Sequence, residues 1–293
     1  MDSPNKILAA LDLDAGTERV LAYALWLAET KGPGTSGIYM LHVMDYALTP
    51  PAYLMPYIEK EKAASEETLK SWQQKLRAEG VGSDFRIAIG RLVESFSKAI
   101  KERAAEAMVL GYKSHLIRPS SSERIIKSVN AVPVMVIRGQ KSEAASLGAV
   151  TIERILCAVD FSENSKRAVD FARGLAGAGG QKLSIVNAVS SIGIEESFRR
   201  LKDLGGVDKE NYKNHVLREA EEKICSYLQV CSGAENIVKI GVPYKTINET
   251  AAEKNADLIV MGARGLSYTE GVILGSVTES VIKSSPCPVI IIH

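Results

Sequence analysis

Four small residues near the end of the chain have the types and spacing of a phosphate-binding loop. They form the pattern Gly262-x2-Gly265-x9-Gly275-Ser276, directly after the apolar run at 258–260. Glycine has no Cβ, so it can adopt positive φ and lets a ligand approach the backbone closely. A helix N-terminus offers free N–H groups and a partial positive charge to a phosphate. The pattern therefore predicts an anion-binding loop between a strand and a helix.

The serine of this pattern also has a purely structural interpretation. Ser276-Val-Thr-Glu279 matches a capping box, and Val277, Val281 and Ile282 fall on one helical face after it. The sequence thus predicts that Ser276 is the N-cap of the last helix. Capping, together with tight turns at the glycines, would explain these residues without any ligand.

The chain contains two copies of one unit, separated by about 150 residues. Three segments of the first half each resemble one of the second half: 6–14 and 154–162, 89–111 and 240–262, 120–137 and 275–292. We therefore predict two domains, 1–139 and 151–293, joined by small and polar residues at 139–150.

Each copy alternates short β-branched runs with helical patterns. The second copy shows five predicted strands, at 155–159, 183–189, 236–241, 258–261 and 289–292. A long charged helical region is predicted at about 195–230. Such alternation is typical of right-handed βαβ units and a parallel sheet covered on both faces. The predicted class is α/β, with two tandem doubly wound five-stranded parallel-sheet domains.

The polar features of the second copy converge on one edge of its predicted sheet. Ligands bind open parallel sheets beyond the carboxyl ends of the strands, where the connections reverse direction. Asp160 follows the first strand, Val189 ends the second, and the glycine pattern begins at the end of the fourth. Asp160 alone could equally cap the helix after it. The shared location favours a binding site.

These residues resemble those of the universal stress protein family. The glycine pattern, Asp160 and the final PCPVIII are similar to the ATP-binding subgroup in its tandem form, and the resemblance covers nearly the whole chain. It implies an adenine nucleotide alpha hydrolase-like fold, ATP or AMP as the ligand with Mg²⁺ left open, and adenosine between Asp160 and Val189. The implied nucleotide-binding residues are Ala158, Val159, Asp160, Val189, Met261, Gly262, Arg264, Gly265, Gly275, Ser276, Val277 and Thr278.

The first copy departs from this pattern. It keeps Asp12, Val43 and Gly111, but Ser114 and Ser120 stand where the second copy has glycines, and the loop is four residues shorter. A Cβ at both approach points argues against the same phosphate cradle. We expect only the second domain to bind nucleotide in the manner of the family.

Other classes of function find little support in the sequence. The net charge of +1 gives no sign of a nucleic-acid or membrane partner, and no apolar run approaches the ~18 residues of a membrane span. The cysteines and histidines lack metal-ligand spacing, so we expect no metal site. A P-loop, a GxGxxG after a strand and a GxSxG elbow are all absent from the sequence, and no catalytic residue is predicted.

The sequence thus predicts a cytoplasmic stress-response protein that binds ATP or AMP in its second domain and acts as a regulatory or protective module. We expect the two copies to pack as an intramolecular pseudo-dimer through their last strands, as the resemblance implies, and leave a homodimer open. Two alternatives also remain open. One is a structural or protein-interaction module whose glycines serve only the fold, and the other is a slow ATPase or autophosphorylating protein.

Overall fold

The computed structural model describes residues 6–30, 37–46, 52–113, 120–138, 146–202, 208–228, 233–266 and 274–293. The chain divides into two compact units, Met1–Thr151 and Ile152–His293. None of the helices in the described ranges is both long enough and apolar enough to cross a membrane.

The first unit has a five-stranded parallel sheet in its described residues. Its strands are β1 (Ile7–Ala10), β2 (Ile38–Asp45), β3 (Ser83–Gly90), β4 (Ala107–Tyr112) and β5 (Val134–Arg138). They pair in the order β3-β2-β1-β4-β5. Its helices are α1 (Thr17–Glu29), α2 (Met55–Ala78), α3 (Leu92–Glu102) and α4 (Ser121–Ile126).

The second unit repeats this topology. Its strands are β6 (Arg154–Val159), β7 (Lys182–Ser190), β8 (Glu235–Gly241), β9 (Leu258–Gly262) and β10 (Val289–Ile292). They pair in parallel in the order β8-β7-β6-β9-β10. Its helices are α5 (Glu163–Gly179), α6 (Ser191–Lys202), α7 (Lys209–Leu228), α8 (Pro243–Glu253) and α9 (Ser276–Ser284).

The central strands are apolar because both faces of each sheet are covered. Every residue of β1 and of β9 is buried, which is typical of parallel strands between two layers of helices. In the second unit, the strand order reverses direction between β6 and β9. The doubly wound α/β class predicted from the sequence is therefore confirmed.

The charged region at 195–230 differs from its prediction. Its described residues form two helices, α6 and α7, and α6 begins at Ser191, before the predicted start.

Candidate functional site

A cavity of about 310 Å³ lies at the carboxyl ends of β6 and β9, where the strand order of the second unit reverses. Every residue that the sequence places at a nucleotide site lines this cavity, except Val189. Its neighbour Ala188 lines the cavity instead, because successive residues of a strand point to opposite faces. Contact of a ligand with Val189 stays a prediction.

Asp160 connects the loop after β6 to the loop after β9. Its Oδ1 accepts hydrogen bonds from the Ser162 backbone N–H (3.1 Å) and hydroxyl (2.6 Å), and its Oδ2 accepts one from the Leu266 N–H (3.0 Å). Ser162 is the N-cap of α5, and its Oγ accepts from the Ser165 N–H at 3.3 Å. Asp160 therefore supports the cap of α5 and also holds the loop that carries Gly265.

The three glycines of the pattern have different roles, and none of them has a positive φ. A Cβ built on Gly262 would lie 2.9 Å from the Asn164 Cβ and 3.0 Å from its backbone carbon, so the start of α5 packs directly against this glycine. A Cβ on Gly265 would lie 2.2 Å from Asp160 Oδ2. None of the three uses the left-handed conformation that glycine allows, whereas Gly262 and Gly265 permit close approach within the protein itself.

The last helix, α9, begins one residue earlier than it would if Ser276 were its N-cap. Gly275 is the N-cap of α9, with φ −71° and ψ 152°, and it makes no side-chain cap hydrogen bond. The Glu279 N–H donates to the Gly275 carbonyl at 2.9 Å, which makes Ser276 the first helical residue. The Glu279 carboxylate contacts Lys283, four residues further on, at 2.7 Å. The predicted capping box at Ser276 is therefore wrong.

Thr278 and Asn187 satisfy carbonyl groups beside the cavity. The Thr278 hydroxyl is buried and donates to the Gly262 carbonyl at 2.9 Å, and the Asn187 amide donates to the Val159 carbonyl at 2.8 Å. Both bonds hold the ends of the two central strands in place. The Thr278 hydroxyl thus ties α9 to β9, and Asn187 was missed because a lone polar residue in an apolar strand carries no motif.

Replacing Thr278 with valine should lower the free energy of unfolding by about 1–3 kcal/mol, because a buried carbonyl loses its donor. Thr250 is the matched control: its hydroxyl is also buried in the second unit, but it makes no hydrogen bond to any described residue. Thr250→Val should leave stability unchanged or raise it slightly. Urea unfolding followed by circular dichroism measures the free energy of unfolding of both variants. Equal changes would contradict the role assigned to the Thr278 hydroxyl.

The cation nearest the glycine pattern is Arg264, which also lines the cavity. Burial lowers the pKa of the His293 imidazole to about 4, and the charge of Arg264 adds to this effect. His293 is therefore neutral near pH 7. The positive charge at this end of the cavity comes from Arg264 and from the N-terminus of α9.

The corresponding edge of the first unit has a different arrangement around a cavity of about 290 Å³. Ser120 is the N-cap of α4, and here a complete capping box is present with Glu123. Lys113 Nζ contacts the carboxylates of Asp12 (3.2 Å) and Asp14. Ser114 lies outside the described residues. The first unit therefore caps this helix terminus with side chains, whereas the corresponding N-cap of the second unit is a glycine.

Together, these features define a tandem α/β protein with a cavity where the strand order of its second unit reverses. The model of the universal stress protein family matches residues 4–138 and 151–293. The chain belongs to the universal stress protein family, as its sequence resemblance indicated.

Relatives and solved structures agree with this assignment. A protein of Staphylococcus aureus (strain USA300) that is named as a universal stress protein is 33% identical over 150 residues, which cover 49% of this chain and 86% of the relative. The crystal structure of a universal stress protein from Archaeoglobus fulgidus DSM 4304 covers 99% of this chain and 96% of its own, with 25% identity and a TM-score of 0.72. A functionally unknown protein from Pseudomonas aeruginosa PAO1 shares the fold, with 15% identity, 98% and 92% coverage and a TM-score of 0.58.

Proposed function

We propose that the second domain binds ATP or AMP in the cavity between β6 and β9, and that the protein acts in the cytoplasm as a nucleotide-dependent regulatory or protective module. One observation carries the proposal. The helix α9 begins at the cavity with a glycine N-cap that offers no side chain to its own N–H groups.

The open helix terminus suits the phosphates. The first N–H groups of an α-helix have no partner within the helix, so a side chain, water or ligand must supply an acceptor. Ser276, Val277 and Thr278 form the first turn of α9, and all three line the cavity. Backbone N–H groups, the helix dipole and Arg264 together favour an anion there.

The other end of the cavity suits a nucleoside. Ala188, Pro243, Ile247 and Met261 supply apolar lining that can cover the face of a base. A carboxylate oxygen has two lone pairs, and Asp160 Oδ2 accepts a hydrogen bond from the Leu266 N–H. Asp160 can therefore accept a second hydrogen bond, from a ribose hydroxyl or an amine of the base.

The same lining gives little support for fast catalysis. Among the described residues that line the cavity, Asp160 is the one carboxylate, and both of its oxygens already accept hydrogen bonds. Hydrolysis of ATP needs a group that positions or activates water near the phosphates. A slow ATPase is the weaker alternative, and it requires that Asp160→Asn reduce turnover by more than it reduces ATP affinity.

An interaction module is favoured by a different observation. Ile192, at the start of α6, is 61% exposed, and Leu266, after β9, is 72% exposed; both follow strands at the edge that carries the cavity. Large contiguous apolar patches mark protein contacts, and these two side chains would contribute to such a patch beside the cavity. An interaction module replaces the nucleotide proposal if the protein binds no nucleotide.

Isothermal calorimetry with ATP and with AMP tests the proposal. We expect one site per chain, and a stabilisation of about 2.7 kcal/mol when free ligand exceeds Kd a hundredfold. If neither ATP nor AMP binds, the nucleotide proposal is wrong and the interaction module remains. Two ATP sites per chain would contradict the assignment of binding to the second domain alone.

A further inference from the structure

The first unit also has a cavity, and its lining points to a different ligand. The cavity lies at the carboxyl ends of β1 and β4, at the same place in the fold as the cavity of the second unit. Their volumes are similar, at about 290 and 310 Å³. The chemistry of the lining must therefore decide which ligand each cavity accepts.

A phosphate would meet a carboxylate in the first unit. The Ser120 hydroxyl accepts from the Glu123 N–H at 3.1 Å, so this donor at the start of α4 is already taken. The Glu123 carboxylate accepts from the Ser120 N–H at 3.0 Å and from the Tyr112 hydroxyl at 2.9 Å. These bonds hold a negative charge at the start of α4, beside the cavity-lining residues Tyr112 and Ser122, whereas the N-cap of α9 in the second unit is Gly275, which has no side chain.

The other charged side chains that line this cavity are two carboxylates and two cations, so their charges balance. Lys113 Nζ lies between the carboxylates of Asp12 and Asp14, and Arg19 also lines the cavity. The hydrogen bond to Asp14, opposed by burial, raises the pKa of Lys113 above its ordinary value. Lys113 therefore stays ionised and paired, and the cluster offers no surplus positive charge to an anionic ligand.

A buried hydroxyl group lines the cavity without a partner among the described residues. Thr17, the first residue of α1, lines the cavity and is 3% exposed, and its Oγ1 makes no hydrogen bond within the described structure. Its counterpart in the second unit, Ser165, donates to the Ser162 carbonyl at 2.9 Å. A buried hydroxyl without a partner is uncommon, so a water or a ligand must satisfy the hydroxyl of Thr17.

Next to this hydroxyl, the wall of the cavity is apolar. Val43 of β2 and Leu92 and Phe96 of α3 line it, and Phe96 is almost fully buried. An apolar wall with a few polar groups accepts a ring that also carries hydroxyl or amine groups.

We propose that the cavity of the first unit binds an uncharged ring-bearing polyol of the nucleoside class and rejects its phosphorylated forms. In this assignment the Thr17 hydroxyl bonds the ligand, Phe96 and Leu92 cover its ring, and Glu123 repels a phosphate. The inference rests on the proposed function only in that the two cavities occupy equivalent places in the fold.

Adenosine is the probe, and the full chain is the sample. Both tryptophans of the chain, Trp26 and Trp72, belong to the first unit, so tryptophan emission reports on that unit. We expect adenosine to change this emission saturably, and AMP to require at least about a tenfold higher concentration, since like charges brought together cost several kcal/mol. Equal concentrations for adenosine and AMP would overturn the proposal.

The Thr17→Val variant tests whether adenosine binds in the cavity of the first unit. It keeps the shape of the side chain but removes the unpaired hydroxyl, so the fold should be retained and the affinity for adenosine at this site should fall about tenfold. Calorimetry should then show the loss of one tight adenosine site and an unchanged ATP stoichiometry. Unchanged adenosine binding in Thr17→Val, or no adenosine binding by the wild type, would overturn the proposal.

A second variant tests the rejection of phosphate. Ser120→Gly combined with Glu123→Gln removes the cap and the negative charge, and should bring the AMP concentration needed for the tryptophan change close to that for adenosine. No change would show that Glu123 does not exclude phosphate. Failure of the nucleotide proposal would appear separately, as absent ATP binding with the adenosine response of the first unit intact.

Discussion

Gly275→Asp should weaken ATP binding about a hundredfold while the protein without ligand stays folded. An aspartate at the N-cap accepts hydrogen bonds from the N–H groups of the first turn and places a negative charge beside the phosphates. If two charge-assisted hydrogen bonds of about 1.5 kcal/mol each are lost, the affinity falls by about two orders of magnitude. Calorimetric titration with ATP measures the change.

The structure indicates that this substitution is compatible with the fold. Gly275 has a φ of −71°, which any residue can adopt, and a Cβ there would lie no closer than 3.4 Å to its nearest neighbour, the Ala263 carbonyl oxygen. The melting temperature without nucleotide should therefore stay the same or rise slightly, because aspartate caps a helix somewhat better than glycine.

Gly275→Ala is the matched control, since it adds the Cβ without an acceptor or a charge. Alanine should weaken binding much less than aspartate. An alanine variant as weak as the aspartate variant would mean that the Cβ itself excludes the ligand, and an aspartate variant with wild-type affinity would contradict a phosphate at α9.

Gly262→Ala should lower the stability of the second unit by about 1–3 kcal/mol, with no ligand involved. The added Cβ would lie 2.9–3.1 Å from Asn164 and Ser165, including two backbone atoms at the start of α5. A helix backbone cannot move aside as the end of a flexible side chain can, so the substitution overpacks the junction between β9 and α5. Urea unfolding followed by circular dichroism gives the free energy.

Gly111 provides the comparison, because it occupies the equivalent position at β4 of the first unit. A Cβ there would touch only the Val20 Cγ2, at 3.4 Å. Gly111→Ala should change stability by less than about 1 kcal/mol, and the smaller unfolded-state entropy favours a slight gain. Equal losses at Gly262 and Gly111 would show that the Asn164 contact does not decide the outcome.

The fold could be predicted almost completely because its signals are periodic. Alternating apolar runs and helical stripes indicate the α/β class, and the internal repeat indicates two units of the same topology. The pairing of the two domains through their last strands stays a prediction, as do the cytoplasmic location and the bound nucleotide.

The details of the site were harder to predict because they depend on distances across the fold. Ser276-Val-Thr-Glu279 fits a capping box by sequence, yet the Ala263 carbonyl accepts the Gly275 N–H at 2.7 Å and Gly275 becomes the N-cap. In the same way, the glycine pattern could not distinguish Gly262, required by the packing of Asn164, from Gly275, which has room for a side chain. Spacing along the chain identifies candidate residues, whereas only contacts in space assign their roles.

The N-cap of the last helix in each unit, α4 or α9, is a position where evolution can exchange one residue for another at little cost to stability. Serine stands at that position in one repeat and glycine in the other, and some codons for these two amino acids differ by a single base. Glycine in place of serine at an N-cap costs a helix only a few tenths of a kcal/mol. A duplicated gene can therefore exchange the two residues without an unstable intermediate, so that selection on the ligand, and not on the fold, decides which one is kept.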